Sequence, residues 1–373
     1  SPQKIGIGDL NNNGRPEIVF PVIAPDIHTD ETVPGFHICE WDGVPGSDNY
    51  GTSSFAYLPD SIDTYFRVHN FEIVDLDDDG QQELIFGNRP DNEHPLDAFL
   101  QIVSVDGNFD ESPIFTTEFF QRTANDTINQ IPYAPVSGAV ADCDGDNQQE
   151  YWVFGNGVHN GDTFLNNVEA QAANEYALSE WVCWITDNDY ALFNSMANDF
   201  DNDGLDDLLI PQFKTPLLRM ITEIADAGTF SDSTQAPVWA EFSDNEEMNN
   251  LFRLVTRNAQ FYVADYYRIW EFSWLGGDVH NFENWSYDCI YFEEADTLYG
   301  CGVTGGLAAP AIDLDGDGRE ELVLTYQMVP DSIDIDPEQN VKSLRILERS
   351  NENPANWVEW TAAKGKMQIS HYP

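Results

Sequence analysis

One acidic pattern, Asp-x-Asp-x-Asp-Gly-x-x-Glu or a close variant, occurs five times in the chain. The copies are Asp9, Asn11, Asn13, Gly14 and Glu17; Asp75, Asp77, Asp79, Gly80 and Glu83; Asp142, Asp144, Asp146 and Glu150; Asp199, Asp201, Asp203, Gly204 and Asp207; and Asp313, Asp315, Asp317, Gly318 and Glu321. Alternate side chains of a tight loop point inward, glycine at the sixth position permits a sharp turn, and a later acid closes the cage. The spacing suits calcium, a hard cation that takes about six to eight oxygens. Magnesium suits it less, because it demands a tight octahedron and keeps its waters. A backbone carbonyl at the seventh position, from Gln81, Gln148, Leu205 or Arg319, adds one more ligand in this reading. For any single copy the alternative is an acidic β-turn without metal. Five copies in register favour metal sites, up to five calcium ions, structural in role and with affinities of about 10⁻⁶–10⁻³ M. Strands flank the loops and the closing acid comes early, which disfavours helix-flanked EF-hands.

The recurrence also sets the architecture. Loops start at 9, 75, 142, 199 and 313, at intervals of 66, 67, 57 and 114. The last interval is twice 57, so one unit without a metal loop is hidden inside it. Val263-Ala264-Asp265 matches Val140-Ala141-Asp142, and Arg268 to Phe272 matches the strand after the other loops, with only Tyr266 and Tyr267 between. Six units of about 60 residues, starting near 4, 70, 137, 194, 260 and 308, make residues 1–373 one domain of stacked repeats. Each unit reads as three or four short strands. In the second these are Phe71–Asp75, Glu83–Gly87, Phe99–Val103 and Ile114–Phe119, rich in β-branched and aromatic residues and punctuated by Gly, Pro, Asn and Asp. A four-stranded unit cannot bury both faces alone, and radial packing solves this. The expectation is an all-β, six-bladed β-propeller with calcium loops between the inner strands of most blades, or a seven-bladed one. Residues 164–182 are read as one short helix, and the tail from Met367 to Pro373 as a partner for the first blade.

The fullest copies, Asp75 to Phe86 and Asp313 to Leu324, follow apolar-x-apolar-x-Asp-Leu-Asp-x-Asp-Gly-x-x-Glu-Leu-apolar. This resembles the FG-GAP or VCBS repeats of integrin α-subunit propellers and of many bacterial secreted proteins. The resemblance implies a β-propeller, calcium in the loop joining the two inner strands of a blade, and an extracellular or cell-surface location. The first loop departs from the pattern through Asn11 and Asn13, the third through Asn147 in place of Gly, and the fourth through the shorter Asp207.

Charge narrows the partners. The formal net charge is −50, from 66 acidic and 16 basic residues. Nucleic acid and anionic membranes need cationic footprints, which this chain lacks. The same acidity has a second explanation in solubility or adaptation to high salt. Apolar residues make up 42% of the chain, enough for a substantial core, and no apolar run is long enough to span a membrane. The start, Ser1-Pro2-Gln3, suits a processed or excised chain. Of five cysteines, Cys289 and Cys301 are the disulfide candidates, while Cys39, Cys143 and Cys183 are expected to be buried.

Catalytic signatures are scarce. The seven histidines form no His-Glu-x-x-His, and there is no Gly-x-Ser-x-Gly and no phosphate-binding glycine loop. Trp41, Tyr50, Tyr65, Trp181, Trp285 and Tyr287 are candidates to stack on sugars, Trp285 and Tyr287 foremost, although inter-blade packing suits any one of them as well. Three functions follow. The first is a secreted or cell-surface, non-catalytic propeller for adhesion or recognition of a protein or glycan. The second is a self-associating structural subunit of an extracellular fibre or surface layer. The third is a polysaccharide-active enzyme or its targeting domain, for which Arg122, Arg219, Arg253 and Arg257 are the cations to inspect.

Overall fold

A computed structural model describes residues 4–22, 34–44, 53–60, 62, 66–89, 98–122, 133–157, 163–178, 182–184, 195–212, 217–221, 238–242, 253–257, 260–265, 268–292, 301–307, 319, 321–328, 342–350, 357–359 and 368–369. They form six antiparallel sheets, each built from strands consecutive in the chain. The first sheet is β1 (Gly6–Gly8), β2 (Glu17–Val22), β3 (Gly35–Glu40) and β4 (Ser53–Tyr57). The second is β5 (Phe71–Val74), β6 (Glu83–Asn88), β7 (Phe99–Asp106) and β8 (Ile114–Arg122). The third is β9 (Tyr133–Ala141), β10 (Glu150–Gly157), β11 (Thr163–Ala172) and β12 (Glu175–Leu178), with β13 (Val182–Trp184) also on β11. The fourth is β14 (Met196–Asn198), β15 (Asp207–Gln212), β16 (Leu217–Ile221) and β17 (Val238–Glu241). The fifth is β18 (Arg253–Arg257), β19 (Gln260–Ala264), β20 (Arg268–Trp274) and β21 (Trp285–Phe292). The sixth is β22 (Cys301–Leu307), β23 (Glu321–Met328), β24 (Lys342–Arg349) and β25 (Trp357–Glu359), with β26 (Gln368–Ile369) also on β24. The one helical element among the described residues is a 3₁₀ turn at Phe282–Asn284, so no described helix is long and apolar enough to cross a membrane.

The chain divides into two compact units, residues 1–197, 204–208 and 221–237, and residues 198–203, 209–220 and 238–373. In the first unit, the sheets bury an apolar face against each neighbour. Phe36 of β3 meets Phe66, Phe71 and Phe86 edge-on, at ring separations of 5.6, 5.4 and 4.8 Å. The opposite face of the second sheet lays Leu76, Ile85, Leu100 and Ile102 on Tyr151, Val153 and Val168 of the third. Each such buried side chain contributes about 1.5–3 kcal/mol. Packing is close enough that Gly138 of β9 is obligatory, because a Cβ there would lie 2.2 Å from the Tyr151 hydroxyl. In the second unit, Phe200, Trp239 and Phe242 pack on Phe261, Phe272, Phe282 and Trp285, with Phe261 and Phe272 stacked at 4.6 Å. The fifth and sixth sheets join through Glu271, which accepts from Arg349 Nη2 at 2.7 Å and Trp357 Nε1 at 3.1 Å.

Several expectations need correction. Residues 164–182 hold no helix in their described part. They form β11 and β12, which pair across a turn where Asn174 takes φ 59°. The fifth sheet begins at Arg253 rather than near 260, and the turn at Asp265 joins its second and third strands, not its first and second. Arg257 pairs with Gln260, so only two residues connect β18 to β19, and a nine-residue metal loop has no room. Asp265 is fully buried and accepts from Arg268 N at 2.7 Å and Trp270 Nε1 at 3.0 Å, with the Arg268 guanidinium at 3.5 Å. Tyr266 and Tyr267 lie outside the described residues. The described part of the tail pairs with β24 of its own sheet.

Trp285 is buried at the start of β21 and donates to the Val279 carbonyl, while Tyr287 is half-buried against Phe272. Both are therefore packing residues, whereas Tyr50, Tyr65 and Trp181 lie outside the described residues. Cys289 is exposed and its thiol donates to the Tyr291 carbonyl, while the side chain of Cys301 lies outside the described ones. Cys143 is buried as expected and Cys39 is half-buried.

Candidate metal centres

The acidic loops connect the first and second strands of their sheets, as β1 to β2, β5 to β6, β9 to β10 and β14 to β15. Three of them gather carboxylates. Asp75, Asp77, Asp79 and Glu83 offer oxygens within 4.8 Å of one another, as do Asp142, Asp144, Asp146 and Glu150, and as do Asp199, Asp201 and Asp203. Asp207, the expected closing acid of the last group, heads β15 and is buried. Asp313, Asp315 and Asp317 lie outside the described residues, and Glu321 is buried at the head of β23.

The backbone explains how the loops aim their acids. In the second loop Asp75 Oδ2 accepts from Gly80 N at 2.9 Å, Asp79 Oδ1 from Gln81 N at 2.9 Å, and Glu83 Oε2 from Leu76 N at 2.9 Å. The third repeats this with Asp142 Oδ2 and Asn147 N at 3.1 Å, and Asp146 Oδ1 and Gln148 N at 2.7 Å. Two positions are left-handed in all four described loops. The sixth carries Gly14, Gly80, Asn147 and Gly204, and the fourth carries Asn12, Asp78, Gly145 and Asn202. The fourth position escaped sequence reasoning, although Asn, Asp and Gly are the residues that tolerate this conformation. A second missed signal is the polar residue at position eight. Gln82 Oε1 accepts from Asp9 N at 2.7 Å, and Asp206 Oδ2 from Asp142 N at 2.9 Å, so in these two cases position eight ties to the first residue of the loop before it.

Burial sets the electrostatics of these acids. Burial, reinforced by the charges of Asp77, Glu118 and Asp75 and opposed by the Leu76 N–H, pushes Glu83 up to about 8. Burial likewise carries Glu17 and Glu150 to about 8, and it raises Asp75. Asp75 Oδ1 and Glu17 Oε1 are buried without a hydrogen-bond partner among the described residues. A buried carboxylate is costly unless paired with a charge. An all-oxygen donor set with orphaned buried oxygens fits a hard divalent cation.

The first loop differs. Asp9 spends both oxygens on Asn13 N and Gly14 N, at 2.9 and 2.8 Å. Asn13 Nδ2 donates to Glu40 at 2.9 Å, Asn11 Nδ2 to the Gly107 carbonyl at 2.9 Å, and Arg15 pairs with Glu40 at 3.2 Å. Asn11 and Asn13 thus turn amide nitrogens toward protein acceptors. Arg15 at position seven has an exact positional counterpart in Arg319, which meets Glu348 at 2.5 Å, and both glutamates stand cross-strand from the closing acids Glu17 and Glu321.

Of the other cations singled out, Arg122 lines a cleft beside β8, and Arg219 is half-buried on β16, where burial lowers its pKa. The side chains of Arg253 and Arg257 lie outside the described ones.

No family model matches the chain, so the FG-GAP or VCBS resemblance rests on the loop residues alone. No curated protein matches either. Among solved structures the chain is similar to a rhamnogalacturonan lyase, YesW, at 13% identity and a TM-score of 0.46, covering 98% of this chain and 65% of that one. It is also similar to the Dos1 propeller, at 9% identity and a TM-score of 0.46, covering 96% of this chain and 85% of that one. This chain therefore spans just under two thirds of the lyase's length.

Proposed function

We propose that the chain is a calcium-stabilised β-propeller of six blades, with loops of the FG-GAP or VCBS kind, that recognises a protein or glycan outside the cell without catalysis. The observation that carries the metal reading is the second loop, where Asp75, Asp77, Asp79 and Glu83 converge and the Asp75 Oδ1 atom is buried with no hydrogen-bond partner among the described residues. Five sheets carry the acidic spacing and one replaces it with a tight hairpin and an aromatic core. Cation binding would neutralise the convergent acids and hold the first two strands of each sheet in register. The strongly negative remainder of the surface keeps the molecule soluble and repels polyanions.

Elemental analysis and thermal unfolding test the reading. The purified chain should contain calcium in excess of two ions per molecule, and excess EGTA should lower Tm by about 10 °C or more, reversibly on adding calcium. An absence of bound calcium together with an unchanged Tm in EGTA refutes it. Recognition is tested by a glycan array and a pull-down run with and without calcium, where silence in both refutes the recognition role.

A further inference from the structure

We propose that the cleft between the first and second sheets binds the ring of an uncharged pyranose sugar. This deepens the recognition reading above by naming a site and a ligand class, and it rests on that reading.

The cleft is made by a register shift. Along β7 and β8, Ile102 pairs with Phe119 but Val103 pairs with Thr117, so Glu118 is an extra residue on β8. A bulge of this kind switches the alternation of side chains along its strand. Phe115, Thr117, Phe120 and Arg122 consequently share one face, which a regular strand would not allow. Glu118 is aimed elsewhere, at the Tyr176 hydroxyl. The shared face looks toward Tyr57 at the end of β4, whose ring stacks on Phe115 at 3.8 Å with the planes 2° apart.

The resulting cavity has a volume of about 340 Å³, at the small end of the roughly 300–1,000 Å³ typical of small-ligand sites. Its lining is amphipathic. Phe120 is 38% exposed, and Arg122 sits 5.8 Å from its ring centre. Asp60 stands at the rim. Gln101 is buried and donates through Nε2 to Thr117 Oγ1 at 2.8 Å. It is the polar exception on a β7 face whose other members, Phe99, Val103 and Val105, are core.

A pyranose presents an apolar C–H face and a rim of hydroxyls that both donate and accept. An exposed phenyl ring matches the former. A carboxylate that only accepts and a guanidinium that only donates, with an amide between, match the latter. Two competing ligand classes fit less well. An anionic sugar would meet Asp60 and a chain of net charge −50. An aromatic peptide side chain would offer the Asp60 carboxylate and the Arg122 guanidinium no rim of hydroxyls that both donate and accept.

Saturation-transfer NMR on the calcium-loaded full chain tests this. The probes are the methyl glycosides of glucose, galactose, mannose and N-acetylglucosamine, with methyl galacturonoside and N-acetyltyrosinamide as counter-probes. At least one neutral glycoside should receive saturation on its ring C–H protons, and Phe120→Ala should weaken its binding about tenfold. Arg122→Gln and Asp60→Asn, at the rim, should each weaken it without lowering Tm. No transfer to any neutral glycoside overturns the proposal, as does transfer only to the uronoside or the tyrosinamide. Binding unchanged in all three variants overturns the site. Melting in EGTA without sugar reads the calcium reading separately, so an intact calcium response with no sugar binding removes this inference alone.

Discussion

Glu83→Gln separates the cost of an unneutralised loop from the benefit of its cation. In the cation-free protein Glu83 titrates near 8, against an ordinary 4.5. The folded state thus binds this proton more tightly than the unfolded state, and stability falls as pH rises from 4.5 toward 8. At pH 7 the full shift costs about 3 kcal/mol, and screening at the exposed rim of the loop reduces this to about 2 kcal/mol. Gln has the same shape, keeps an oxygen to accept the Leu76 N–H, and carries no charge. In EGTA at pH 7, Glu83→Gln should be more stable than the parent by about 2 kcal/mol, with the difference shrinking to a few tenths near pH 5. With calcium at about 100 times Kd, each parent site gains about 2.7 kcal/mol. The parent should then overtake the variant. Urea unfolding at pH 5, 7 and 8, with and without calcium, measures all of this. A variant less stable than the parent at every pH in EGTA would refute the reasoning, as would a cation-free parent that gains stability from pH 5 to pH 8.

Other perturbations probe the scaffold. Gly138→Ala should lose about 1–3 kcal/mol in chemical unfolding, through the clash with the Tyr151 hydroxyl and ring. Asp265→Ala strands Arg268 and Trp270, and should cost about 3 kcal/mol by an amount that calcium does not change. In native protein a maleimide should label Cys289 and spare Cys143, which is buried and whose thiol burial holds well above its usual range. Mass spectrometry of labelled peptides reads the outcome.

What the sequence disclosed follows from which constraints are local. The convergence of positions one, three, five and nine in the second and third loops was legible because it follows from a fixed spacing along the chain. The left-handed fourth position was equally visible in Asn12, Asp78, Gly145 and Asn202, yet it only acquires meaning once the φ values are seen. The Gln82 and Asp206 links were invisible, since their partners Asp9 and Asp142 come from another repeat. Residues 164–182, expected to hold a helix, include an Ala-, Gln- and Glu-rich stretch of good helix propensity. Pairing with β10 along Thr163–Glu169 outweighed that propensity, and it buries Asn166 and Asn167. The fifth sheet misled because Val263-Ala264-Asp265 copies the entry to a metal loop, while the hairpin that sets the register, Arg257 to Gln260, is too short to leave a motif.

That two-residue connection has a consequence for how the molecule comes apart. Wherever the other sheets depend on dissolved ions, depletion sets their own carboxylates against each other, but the layer holding Phe261 over Phe272 has no such debt to its surroundings. Demineralised protein should therefore fray first at its acid-bearing bends and retain this aromatic slab longest, a gradient of endurance that amide exchange in chelator would trace strand by strand.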